Sequence, residues 1–165
     1  MGFQNKHKPT LVLFCGLPGS GKTTTARKCE NETDAIRLCT DEWLADLGID
    51  LFDETTRDKL QVRLYMLGKE LLQLRQNVIL EDGLWLRKER DEKRCDAAAL
   101  DTHTELHFYD LTFEELWWRI SGRNATGGHG IVPISKEQLM SYWSMFERPD
   151  EDELSLFDDV IIHKN

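Results

Sequence analysis

Several things are scarce in this sequence, and each shortage narrows its reading. No apolar run approaches the roughly 20 residues that span a bilayer, so no membrane segment is expected. The apolar run that follows MGFQNKHKPT is also too short for the core of a signal peptide, which points to the cytoplasm. The four cysteines, Cys15, Cys29, Cys39 and Cys95, lack the paired spacing of a zinc or redox site and read as reduced and mostly packed. There is no Pro- or Ser-rich stretch, no repeat and no low-complexity tract to mark a boundary, so a single domain over 1–165 is expected. Basic residues are outnumbered as well: 21 Lys and Arg face 30 Asp and Glu, a formal charge of −9. Neutralisation of phosphates by Lys and Arg supplies most non-specific affinity for nucleic acid, so a long nucleic acid is disfavoured as a partner.

What is present alternates in a regular way. Short apolar or β-branched runs at Thr10–Cys15, Ala35–Leu38, Asn77–Glu81, Glu105–Asp110 and Asp159–Ile162 read as strands. Helical patterns separate them, which requires crossover connections and therefore a parallel sheet. Leu60, Leu64, Leu67, Leu71 and Leu74 recur at helical spacing and predict a helix over Arg57–Gln76 with one apolar face. Thr112 with Glu115, and Ser135 with Gln138, form capping-box patterns ahead of amphipathic stretches. Between them lies a glycine-rich stretch, Asn124–Ile134, that reads as a mobile lid.

The first strand runs into GLPGSGKTT, where Gly16, Gly21, Lys22 and Thr23 satisfy G-x-x-x-x-G-K-[ST] in the context of strand, loop and helix. The chemistry explains the spacing. A loop of this kind, here Gly16, Leu17, Pro18, Gly19, Ser20 and Gly21, turns backbone N–H groups inward around phosphate oxygens, and the helix through Thr24 aims its positive end at the same anion. Lys22 adds a point charge toward the outer phosphates, and the Thr23 hydroxyl can complete a Mg²⁺ shell. No N-K-x-D-type guanine-reading segment follows a later strand. Asp82 and Glu81 close the third strand, so one of them should face the phosphate loop; Asp82 is favoured as the Mg²⁺ partner.

On these residues the chain resembles the small P-loop kinases of the nucleoside-monophosphate kinase superfamily, in particular the group allied to gluconate, shikimate and chloramphenicol kinases and to the kinase half of polynucleotide kinase. The resemblance is carried by GLPGSGKTT, by CTDEWL at Cys39–Leu44, by VILEDGLWLRKER at Val78–Arg90 and by RISGRN at Arg119–Asn124, with FERPDEDE at Phe146–Glu153 similar to the group's closing segment. It implies a three-layer P-loop NTPase fold with a five-stranded parallel sheet, helices on both faces and a lid. It further implies transfer of the γ-phosphate of ATP, with Mg²⁺, to a hydroxyl of a small molecule. Asp41 would then accept the acceptor's proton, with Glu42 as the fallback. Arg119 and Arg123 would be lid arginines that grip the nucleotide, Arg123 acting on the transferring group. Trp85 and Arg90 would contact the acceptor. Two other readings stay open: a nucleotide or nucleic-acid-end kinase, and a regulator that binds ATP without transferring phosphate. Carboxylates around Asp41 outnumber arginines, so a neutral or cationic acceptor is expected over a polyanion.

Overall fold

The computed structural model describes residues 8–127 and 132–165. Strands β1 (Thr10–Cys15), β2 (Ile36–Leu38), β3 (Val78–Leu80), β4 (His103–Tyr109) and β5 (Asp159–His163) form one sheet in the order β2-β3-β1-β4-β5. Every pairing is parallel, with Leu11 opposite both Val78 and Thr104, and His107 opposite Ile161. The helices between the strands are α1 (Lys22–Glu32), α2 (Thr40–Asp46), α3 (Glu54–Gln73), α4 (Arg87–Ala99), α5 (Phe113–Thr126), α6 (Lys136–Met145) and α7 (Glu151–Leu154).

Alternation along the strands divides the interior into two layers. Leu11, Leu13, Val78, Leu80 and Leu106 turn toward α3 and pack with Leu64, Tyr65 and Leu72. Val12, Phe14 and Ile79 turn the other way, onto Ala26 of α1. A third cluster joins Leu17 of the phosphate loop to Leu116 and Ile120 of α5 and Leu139 of α6, so the α5–α6 pair is fastened to the loop. The expected architecture of a parallel sheet between helical layers is the one observed.

The leucine stripe holds over four of its five members. Helix α3 begins three residues earlier than the spacing predicts, capped by the Asp53 side chain, and stops at Gln73. Leu74 is its C-cap and is 78% exposed, and the helix ends there, with Arg75 at a left-handed φ of 65°. Both capping boxes form as expected. Helix α5 continues through Asn124 and Ala125 to Thr126, so the start of the expected lid is helical. Residues 128–131 of that lid, His129 among them, lie outside the described residues. Among the described residues no helix is long and apolar enough to cross a membrane.

Candidate active site

The phosphate loop leaves β1, the central strand, at its carboxyl end, where open parallel sheets gather ligands. Two glycines make its path possible. Gly19 has φ +80°, and a Cβ there would stand 2.6 Å from Ile120 Cγ1. Gly21, at φ 103°, is the N-cap of α1 and brings no side chain to bond the first helical N–H groups. No acidic residue occupies the first turn either, so those N–H groups and the helix dipole face outward for an anion. Lys22 folds over the loop, its Nζ donating to Leu17 O at 2.8 Å and to Ser20 Oγ at 3.3 Å. Burial pushes its pKa down to about 8, against the opposing pull of Glu81 and Asp41. An ammonium so desolvated is primed to gain from a phosphate.

The carboxylate that meets Thr23 is Glu81 and not Asp82, the one favoured from the sequence. Thr23 Oγ1 donates to Glu81 Oε1 at 2.5 Å. Asp82 instead accepts from Thr40 Oγ1 at 3.0 Å. Strand parity is the reason: Ile79 faces α1, so Glu81 two residues later faces it too, whereas Asp82 follows Leu80 toward α2 and α3. A hydroxyl and a carboxylate in contact beside the anion-binding end of α1 are hard oxygen donors of the kind Mg²⁺ takes while keeping several waters. The Thr23–Glu81 pair therefore fits that ion.

Asp41 lies in the first turn of α2, exposed, and pairs with Arg57 Nη1 of α3 at 2.6 Å. It is near enough to Lys22 to support that residue's charge. Glu42 is committed elsewhere, bridging Arg27 at 2.6 Å and Arg37 at 2.5 Å. Part of the acidic surplus read from the sequence around Asp41 is spent in this way: Asp53 caps α3, and Glu42 and Glu81 are paired. Burial lifts the Asp82 carboxyl to about 6, with Thr40 and Gln61 hydrogen bonds pulling the other way.

The two α5 arginines reach the loop differently. Arg119 Nη1 donates to Ser20 O at 3.0 Å, and its Nη2 reaches Asn165 Oδ1. Arg123 is half-buried, its Nε has no hydrogen-bond partner, and among the described residues no carboxylate pairs with it. Desolvation lowers its pKa, and its charge repels that of Lys22. A second cation close enough to Lys22 to repel it, with no carboxylate paired to it among the described residues, suits an anion.

Arg90 is a correction. It is fully buried at 0% exposure, and all five of its N–H donors are used inside the protein: Nε and Nη2 on Glu153, Nη1 on the Leu84 and Trp85 carbonyls, Nη2 also on Glu147 O. None of its N–H groups is left for an acceptor; through Glu153 it fastens α4 to α7, ahead of β5. Trp85 braces the phosphate loop from behind, donating Nε1–H to Gly16 O at 3.2 Å with its ring against Tyr142. Its place is beside the loop, with no acceptor contact assigned. The residue that sequence reasoning missed is Arg37, inside a three-residue strand; Arg57, expected among the arginines around Asp41, pairs with it across 16 positions. The Glu81–Asp82 choice was within reach had strand parity been applied.

A phosphate loop at the head of a parallel 2-3-1-4-5 sheet, with arginines brought over it by a helix pair, defines a P-loop nucleotide-binding domain of the kinase type. Comparison with known proteins agrees: residues 11–149 match AAA_33, described as an AAA domain, and the chain belongs to that family. No curated protein matches the sequence. Among solved structures, a chain of the Pnkp1/Rnl/Hen1 RNA repair complex superposes with a TM-score of 0.71 at 22% identity, covering 88% of this chain and 46% of that one. The chain thus spans less than half the length of that relative. The APS kinase CysC of Mycobacterium tuberculosis, in complex with AMPPNP and APS, superposes at 0.63 with 22% identity, covering 96% and 90%. A gluconokinase from Sinorhizobium meliloti superposes at 0.62 with 17% identity, covering 94% and 81%. At these identities the likeness is one of fold.

Proposed function

We propose that the protein is an ATP-dependent kinase that transfers the γ-phosphoryl group to a hydroxyl of a small molecule. The observation that carries this reading is the convergence of Lys22, Arg123 and the bare N-terminus of α1 on one anion site, with the Thr23–Glu81 pair on one side and Asp41 on the other. The phosphate loop and Lys22 hold the nucleotide's outer phosphates, and Arg119 keeps the loop against α5. Thr23 and Glu81 hold Mg²⁺, which when bound offsets phosphate charge. Arg123 gains its missing partner as negative charge spreads over the transferring group, an interaction stronger in the transition state than before it. Asp41, exposed at the mouth, takes the proton of the attacking hydroxyl, while Arg57 fixes its carboxylate.

The likeness to a chain of an RNA repair complex favours a second reading, in which the hydroxyl is at a nucleic-acid end. Both readings meet the same experiment. ADP release is measured with Mg·ATP and a panel of sugars, nucleosides, anionic alcohols and a 5′-hydroxyl oligonucleotide, with wild type and Asp41→Asn. Acceptor-dependent release that falls by roughly two to four decades in Asp41→Asn is expected. No acceptor-dependent release rejects phosphoryl transfer; acceptor-dependent release at equal rates in the two proteins removes Asp41 from the role of base; a response to the oligonucleotide alone selects the second reading.

A further inference from the structure

Resting on the kinase reading, we propose that Arg37 is a positioning residue that sets the Glu81 carboxylate against Thr23 and ties the helix bearing Asp41 to the same frame. Arg37 lies on the middle of β2, opposite Ile79, and so shares with Glu81 the sheet face that looks onto α1. Its side chain is 8% exposed and meets three carboxylates: Nε donates to Glu30 Oε2 at 2.8 Å, Nη1 to Glu81 Oε2 at 2.6 Å and Nη2 to Glu42 Oε2 at 2.5 Å. Those groups come from the end of α1, the end of β3 and the first turn of α2, three elements that touch the site from different sides.

The division of oxygens on Glu81 is the central point. Oε2 is taken by Arg37, which leaves Oε1 to accept from the Thr23 hydroxyl. Without Arg37, a side chain with 4% exposure would hold a carboxylate away from water with a single hydroxyl for a partner. Such a group swings toward solvent to regain water, which removes it from Thr23. Three carboxylates face only two guanidiniums in this cluster, since Arg27 of α1 closes it by holding the other oxygen of Glu42. Glu42 directly precedes no metal contact of its own but follows Asp41 in the chain, so the same guanidinium also restrains the turn that presents the candidate base. Lysine cannot replace it: one ammonium is a point charge, whereas the planar fork reaches carboxylates on three edges.

The test uses the whole chain and a fluorescent ATP analogue, whose affinity is measured across a Mg²⁺ series for wild type, Arg37→Gln, Arg37→Lys, Glu81→Gln and the Arg37→Gln/Glu81→Gln double variant. Loss of a group that orients a metal-side ligand is expected to raise the Mg²⁺ midpoint by about tenfold or more. Arg37→Gln and Glu81→Gln should show similar shifts, the double variant no larger a shift than either single one, and Arg37→Lys should resemble Arg37→Gln while melting as a folded protein. Where Arg37→Gln fails to fold, Arg37→Lys decides. A wild-type Mg²⁺ midpoint in Arg37→Lys, or shifts that multiply in the double variant, overturns the role given to Arg37 and leaves the kinase reading intact. A wild type whose nucleotide affinity ignores Mg²⁺ overturns the metal-side reading of Thr23 and Glu81 themselves.

Discussion

Replacing Asp82 by Asn should make the protein more stable at neutral pH. Asp82 is 7% exposed, and its carboxyl is held up at about 6 against an ordinary 3.8, chiefly by burial. That difference corresponds to about 3 kcal/mol of cost for carrying the charge in the folded state at pH 7. The sign follows from proton counting. Below pH 3.8 the group is protonated whether the chain is folded or not, and no cost arises. Between 3.8 and 6 the unfolded chain ionises while the folded one keeps its proton, so stability falls as pH rises; above 6 the full cost is present. Asn keeps the oxygen that accepts from Thr40 and nearly the same volume, and its amide meets Gln61 on the other side. The gain of Asp82→Asn over wild type should therefore grow from near zero at pH 4 to about 1–3 kcal/mol at pH 7.5. Denaturant unfolding of both proteins across that range measures it, and taking the difference cancels every other titrating group. A difference independent of pH, or a variant less stable at pH 7.5, refutes the reasoning. A destabilising charge kept on the acceptor side of the site would be one more sign of function there.

Further outcomes follow from the same geometry. Lys22→Ala should lower turnover by about two to three decades or more and weaken ATP binding, while melting within a few degrees of wild type, because its two bonds run only to the loop itself; unchanged turnover would remove the phosphate loop from the chemistry. Arg123→Ala should reduce kcat much more than it raises the KM for ATP, measured by ADP release, whereas Lys136→Ala on the neighbouring helix should do neither. Arg90→Met should cost about 3–5 kcal/mol in urea unfolding, since it strands the buried Glu153 carboxylate; an effect on acceptor KM without loss of stability would restore Arg90 to the site.

The sequence by itself determined the class of this protein. The phosphate loop is a local device, with glycines, lysine and threonine at set offsets, so its meaning survives without knowledge of what surrounds it. Strand and helix alternation likewise dictates a parallel sheet, and the capping boxes marked two helix starts to the residue. Only the tertiary structure decided which side chains meet across elements. Glu81 and Asp82 are adjacent in the chain, and the sheet sends one to Thr23 and the other to Thr40. Arg90 sits in a run that reads as acceptor-binding, yet Glu153, 63 residues away, claims it. Arg37 carries no motif at all, and its three partners come from three different elements. Long-range pairing of charges leaves little local trace, because a buried ion pair depends on the geometry that desolvates it and not on the neighbours in sequence.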